Sequence, residues 1–212
     1  MSKTETYADY KHISDKDVIA RILGIKNCPV DKLGTPLVNI RRQRVYKVLP
    51  AEYFGVIFTP RLEICDENGL VLKLGKDYRG IDDMTYRTYP EIQRVVPRCY
   101  SIFLIFERQT EKLVERHIMH GYYKFGGSSK DEDTNVNTLS ILRQAPISET
   151  ERVVITEKAN GKAAVMTMFR FEGQLFMFGG SKGDHYVTPV SAGMEFMQRL
   201  NRNLFAFYIF DV

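Results

Sequence analysis

The chain has 212 residues, with 30 Lys and Arg against 26 Asp and Glu, and a formal net charge of +4. This length fits one domain with an additional segment, and a hydrophobic fraction of 44% is enough to fill a globular core. The small positive excess is compatible with a phosphate-rich partner but does not require one, because a slightly basic surface is common.

The cysteines and histidines give no pattern typical of a metal site. Cys28, Cys65 and Cys99 are widely separated and form no CxxC pair, so neither a disulfide framework nor structural zinc is predicted. His117 and His120 fall on opposite faces of a strand-like segment, which disfavours a shared metal. The cysteine usage fits an intracellular compartment, the cytoplasm or the nucleus. The polar N-terminus is unlike a signal peptide, and no membrane partner is expected.

Residues 1–36 are predicted to form an N-terminal helical appendage, followed by a domain over residues 37–212. Ser14 or Asp15 can cap a short helix that Gly24 can end. The apolar positions of this helix are Val18, Ile19, Ile22 and Leu23.

From about residue 37 the pattern changes to strands. Residues 38–49 carry four cations and no acid, which indicates a solvated edge strand or, alternatively, a phosphate-facing patch. The four cations are Arg41, Arg42, Arg44 and Lys47.

Three hairpins are predicted from strand alternation and turn residues. They cover residues 61–75 with a turn at Asn68-Gly69, residues 101–119 with a turn at 109–111, and residues 162–180 with a turn at Glu172-Gly173. Further predictions are a polar loop at 128–135, a short helix at 138–143, a strand at 152–158, a helix at 191–203 and a closing strand at 204–210.

One segment of the sequence suggests a catalytic site. Lys158 leaves a hydrophobic strand and is followed by the small turn Ala159-Asn160-Gly161. Alone, this KxNG pattern is also typical of an ordinary surface turn. About twenty residues later, residues 178–184 read FGGSKGD and include Lys182. His185 follows directly and is predicted to be a polar loop residue and not a catalyst.

The order of these segments resembles the adenylyltransferase domain of phage-type RNA ligases and fungal tRNA ligases, in the covalent nucleotidyltransferase superfamily. In those enzymes a Lys-Phe-Phe-Asn-like segment precedes the KxDG or KxNG motif, and a hairpin then leads to a Ser-Lys-containing motif. Here the first segment is Lys124-Phe125-Gly126-Gly127, and Arg98 stands near the place of the family's Ala-Arg-Gly. The resemblance covers about residues 98–188.

The resemblance implies an α+β, antiparallel-sheet-rich nucleotidyltransferase domain with an ATP-grasp-like ligase fold. Because the family's later Glu-x-x-Val-like and Lys-x-Lys-like motifs are not found, the domain is expected to be incomplete at its C-terminus. A complementary C-terminal segment or partner chain would supply these motifs, and residues 1–212 alone are expected to be inactive in strand joining.

The implied activity is an ATP-dependent RNA ligase that joins a 5′-phosphate to a 3′-hydroxyl through lysyl-AMP, with ATP and Mg²⁺. Lys158 would be the nucleophile, and Lys182 would lower the pKa of its amine and neutralise phosphate. The implied nucleotide-binding residues are Glu157, Asn160, Gly161, Lys124, Phe125 and Arg98.

Two alternatives remain open from the sequence. One is a non-catalytic module with a ligase-like fold that binds nucleic acid or protein. The other is a different member of the superfamily, a DNA ligase or a GTP-using capping enzyme.

Overall fold

The computed structural model describes residues 4–45, 47–72, 83–121, 163–181, 184–190 and 206–209. These residues form an α+β fold that is mostly strand, with two four-stranded sheets and few helices. The first sheet has the order β1-β2-β3-β4 and contains β1 (Val38–Val45), β2 (Tyr53–Leu62), β3 (Ser101–Glu107) and β4 (Leu113–Met119). The second has the order β7-β6-β5-β8 and contains β5 (Ala163–Phe171), β6 (Gln174–Gly180), β7 (His185–Pro189) and β8 (Ala206–Ile209).

The helices are short and lie before and between the strands of the first sheet. They are α1 (Lys16–Leu23), α2 (Asp83–Thr88) and two 3₁₀ turns, Tyr7–Tyr10 and Pro90–Arg94. None of the helices in the described parts of the chain is long and apolar enough to cross a membrane.

The predicted N-terminal helix is confirmed. The carboxylate of Asp15 accepts a hydrogen bond from the Asp17 amide at 2.8 Å, which satisfies one of the amide donors that every helix start leaves unpaired. Gly24 ends the helix at φ +68°, a conformation that glycine adopts without steric cost. Ile19, Ile22 and Leu23 are buried against the first sheet.

The N-terminal residues bind to the first sheet at the turn between β3 and β4. The Tyr7 amide donates to the Glu111 carbonyl at 2.8 Å, and the Leu113 amide donates to the Glu5 carbonyl at 2.9 Å. The Tyr10 hydroxyl donates to the Glu5 carboxylate and accepts from Arg116 of β4. Burial, with help from Glu5, raises the pKa of Tyr10 to about 12. The residues predicted as an appendage therefore share one core with the sheet.

The first sheet confirms two predictions. β1 lies at the sheet edge, as expected for a strand with four cations in its neighbourhood. β3 and β4 form the predicted hairpin over residues 101–119.

The strand β2 lies between β1 and β3. Its residues 55–60 are all buried and show no alternation, because helices cover one face of the sheet and the second sheet covers the other.

The predicted hairpin over residues 61–75 is observed in a shorter form over residues 64–72. Arg61 and Leu62 belong to β2, and beyond them only one bridge pair, Cys65 with Val71, is formed among the described residues. The predicted turn is present, and Gly69 has φ +79°. The Asp66 amide donates to the Leu70 carbonyl and the Leu72 amide to the Ile64 carbonyl, and the Asp66 carboxylate accepts from the Asn68 and Leu70 amides of the turn.

The second sheet confirms the hairpin over residues 162–180, with β5 and β6 joined at Glu172-Gly173. The predicted closing strand is observed over residues 206–209, where β8 pairs in parallel with β5. The loop at 128–135, the helices at 138–143 and 191–203 and the strand at 152–158 lie outside the described residues.

Aromatic rings join the two sheets. Phe103 of β3 lies 5.8 Å from both Phe169 and Phe178 of the second sheet, measured between ring centroids. Phe169 stacks on Phe176 at 5.4 Å. Gly55 of β2 makes room for this layer, because a Cβ at that position would stand 2.4 Å from the Phe103 ring. The packing predicts a large energetic role for Phe103.

We expect Phe103→Ala to lower the free energy of unfolding by about 3–5 kcal/mol, because it removes a fully buried ring and leaves a cavity between the sheets. Met168→Ala on the outer face of β5, where the side chain is 49% exposed, should change it by less than about 0.5 kcal/mol. Urea denaturation of both variants measures the difference. Equal losses would contradict the assignment of Phe103 to the core.

Candidate functional site

The turn that joins β6 to β7 is fixed by backbone contacts. The Ser181 amide donates to the Asp184 carbonyl at 3.0 Å. A Cβ at Gly180 would stand 1.9 Å from the same carbonyl oxygen, so only glycine fits there. Lys182 is one of the two residues that the sequence places between Ser181 and Asp184.

This turn meets the first sheet through an ion pair. The Asp184 carboxylate lies 2.8 Å from Nη1 of Arg41 on β1. Thr59 of β2 is the cross-strand partner of Arg41, and Arg61 is two residues further along β2, so all three side chains project from the face that packs against the second sheet. Both members of the ion pair are partly exposed, and solvent screening keeps its contribution to stability small.

Below the ion pair lies a buried chain of polar groups. Nδ1 of His185 is 3.2 Å from the Thr59 hydroxyl, which is 3.1 Å from the Ser101 hydroxyl. The Ser101 hydroxyl also lies 3.1 Å from the Phe58 carbonyl. His185 is 1% exposed and Ser101 is fully buried, so this chain has no access to bulk water.

The number of protons fixes the direction of these hydrogen bonds. Each hydroxyl has one proton, and the Phe58 carbonyl can only accept, so Ser101 donates to it. The Thr59 hydroxyl then donates to Ser101, and Nδ1–H of His185 donates to Thr59. This assignment leaves Nε2 of a neutral imidazole as an acceptor, and no described residue is in hydrogen-bond geometry with it.

The surroundings favour the neutral imidazole. Burial lowers the pKa of His185 to about 4, the charges of Arg61 and Arg41 act in the same direction, and Asp184 opposes them. The prediction of a polar loop residue is therefore wrong. His185 begins β7, and the inward alternation of His185 and Val187 buries it in the sheet interface.

Two guanidinium groups thus lie beside a neutral, buried imidazole. Arg41 and Arg61 are exposed, whereas Thr59, Ser101 and His185 are buried. Guanidinium groups match phosphate in charge and geometry, and the buried, neutral imidazole beneath them adds no charge. This arrangement suits binding of an anion at the mouth of the cluster formed by Arg41, Arg61, Asp184 and His185.

Arg98 is the one predicted site residue within the described residues. Its carbonyl accepts from the Gly121 amide at 2.9 Å, and its guanidinium carbon lies 5.7 Å above the Tyr86 ring of α2. The hydrogen bond fixes the backbone of Gly121, which directly precedes residues 122–125 in the sequence. The other predicted site residues, Lys124, Phe125, Glu157, Lys158, Asn160, Gly161 and Lys182, lie outside the described residues.

The described residues contain no group of three or more His, Cys, Asp or Glu side chains that could hold a metal ion. Asp184 is the carboxylate of the cluster, and it is paired with Arg41.

Comparison of the chain with protein-family models, curated proteins and solved structures finds no match. The resemblance to RNA ligases consequently rests on the sequence motifs.

Sequence reasoning named Arg41 as part of a cationic strand but missed Arg61, Thr59 and Ser101. The signal for Arg41 was the run of cations without an acid. Thr59 and Ser101 carry no local signal, because 42 positions separate the two hydroxyls and only the β2–β3 pairing brings them together.

Acid should destabilise the protein through His185. The unfolded chain protonates this imidazole near pH 6.5, whereas the folded chain does so only near pH 4. Stability present above pH 6.5 should therefore be lost as the pH falls towards 4, by up to about 3 kcal/mol. Urea denaturation between pH 7 and pH 4 measures this loss.

The control for this titration is His185→Gln, which keeps the carboxylates that also titrate at low pH. The free energy of unfolding of the variant should fall less steeply between pH 6.5 and pH 4. Identical slopes in the two proteins would contradict a buried neutral imidazole.

Proposed function

We propose that the protein is an ATP-dependent RNA ligase that joins RNA ends through a covalent lysyl-AMP intermediate. The observation that carries the proposal is the FGGSKGD segment, whose described residues meet Arg41 and lie next to His185 at the sheet interface. It supports the assignment of a nucleotide-phosphate site to the motif that contains Lys182.

The nucleophile in this proposal is Lys158. A free lysine has a pKa of about 10.4 and is mostly protonated at neutral pH, so nearby cations are needed to favour the neutral amine. In this proposal Lys182 supplies such a charge. The neutral Nζ attacks the α-phosphorus of ATP, the P–N bond forms, pyrophosphate leaves, and the amine loses a proton to solvent.

The later steps use the RNA ends. AMP passes from Lys158 to the 5′-phosphate, and the 3′-hydroxyl then displaces AMP and forms the phosphodiester. Mg²⁺ would neutralise charge on the leaving pyrophosphate. RNA as the substrate rests on the resemblance to RNA ligases.

The covalent intermediate is directly testable. Incubation with ATP and magnesium should attach AMP to Lys158, because this lysine heads the KxNG segment. Mass spectrometry of the intact chain and of its peptides should locate the adduct, and Lys158→Ala should lack it. Lys182→Ala should form it roughly a hundredfold more slowly, since it removes a charge from the reacting centre.

Three outcomes would contradict the ligase proposal. An adduct that persists in Lys158→Ala would show that another residue is the nucleophile. A GMP adduct formed in preference to AMP would favour a capping enzyme. RNA binding without any adduct would favour the non-catalytic binding module.

Substitution of either arginine of the cluster should slow lysyl-AMP formation more than substitution of Arg42. Arg41→Gln and Arg61→Gln should each slow lysyl-AMP formation at low ATP by about tenfold, the effect of roughly 1.4 kcal/mol of lost phosphate binding. Arg42→Gln is the matched control, because alternation along β1 places Arg42 on the opposite face of the sheet. The initial rate of adduct formation measures all three. An equal effect of Arg42→Gln would indicate that only net charge matters.

A further inference from the structure

A cleft of about 660 Å³ opens at the end of the first sheet, where β1 leads into β2. We propose that this cleft binds single-stranded nucleic acid. Its volume is within the range of about 300–1,000 Å³ that is typical of ligand pockets. The lining residues used below are Arg44, Lys47, Tyr53, Phe54, Arg108 and Glu111.

The lining has an excess of positive charge. Among the described residues of the lining, Arg44, Lys47 and Arg108 contribute three cations, and Glu111 contributes one acid. The Glu111 carboxylate also lies 3.8 Å from the Lys11 ammonium, which offsets its charge. A cationic cleft attracts the phosphates of nucleic acid, and the released counterions favour binding.

Two of the cations are held in place before any ligand binds. The guanidinium carbon of Arg44 lies 5.5 Å above the Tyr7 ring and 6.0 Å above the Phe54 ring. Arg108 donates from Nε to the Ala51 carbonyl at 2.8 Å and from Nη2 to the Tyr53 carbonyl at 2.9 Å. Because these side chains are already ordered, binding a phosphate costs little additional conformational entropy.

The third cation stands at a constrained position of the backbone. Lys47 is exposed and has φ +57°, in the left-handed region that residues other than glycine rarely adopt. Such constrained positions are frequent where a chain holds a functional group in one orientation.

Two aromatic side chains, Tyr53 and Phe54, line the cleft beside the cations. The Tyr53 ring packs edge-on against Phe171 at 4.8 Å, and its hydroxyl donates to the Glu172 carboxylate at 3.1 Å. Bases stack on aromatic side chains without sequence preference, so fixed rings beside fixed cations are typical of sites for single strands.

The inference deepens the proposed function, on which it rests only for the choice of RNA as the strand. Fluorescence anisotropy should be measured with the whole 212-residue chain, without ATP, on a labelled oligouridine of about 12 nucleotides. Lys47→Asn should bind about tenfold more weakly, and the slope of log K against log salt should become shallower by about 0.7, the value for one lost phosphate contact. Asparagine tolerates positive φ, so this variant removes the charge without adding strain.

The matched control is Lys26→Asn, which removes the same charge from an exposed lysine that does not line the cleft. It should bind as the unmodified chain does. Equal binding by Lys26→Asn and Lys47→Asn would overturn the inference, and so would displacement of the oligonucleotide by an equal concentration of free AMP.

Lysyl-AMP formation separates this inference from the proposed function. Lys47→Asn should form the adduct at the normal rate while binding RNA more weakly. If no adduct forms but Lys47→Asn still binds RNA more weakly than Lys26→Asn, the ligase proposal is contradicted and RNA binding by the cleft is supported. If the adduct forms normally but Lys47→Asn and Lys26→Asn bind RNA equally, the ligase proposal is supported and RNA binding by the cleft is overturned.

Discussion

Aromatic packing between the two sheets holds the rest of the described structure in place. Phe103 contacts Phe169 and Phe178, and this layer fixes the distance between β3 and the strands of the second sheet. Only at that distance can the hydroxyl of Thr59 reach His185, and Arg41 reach Asp184. The polar cluster is thus located by apolar burial, which is non-directional and stronger than the exposed ion pair beside it.

Local features of the chain were predictable where local chemistry decides the structure. The helix that begins after Asp15 and ends at Gly24 follows from its caps, and the turn at Glu172-Gly173 follows from its residues. The edge position of β1 was predictable from its charge, since lysine and arginine protect an edge from pairing with other chains.

Features that depend on distant contacts were not predictable from the sequence. Residues 55–60 of β2 show no alternation, because both faces of the strand are covered. The burial of His185 depends on a neighbour 126 positions away, and nothing near it in the sequence indicates that Thr59 will be that neighbour. The motif that suggested Lys158 as a nucleophile contains the proposed reactive group. It gives no indication of the arginines and hydroxyls that lie around the site.

The parallel pairing of β8 with β5 has a consequence for folding of the chain. The hairpin of β5 and β6 closes through the turn at Glu172-Gly173, whereas residues 172–205 separate β5 from β8. Closing the longer loop costs more chain entropy and is slower, so the hairpin can form first. Among the described strands only β8 occupies that side of β5, so a chain that has formed the hairpin alone presents an open sheet edge. The rate at which β8 pairs with β5 therefore sets how long another chain or a chaperone can pair with that edge.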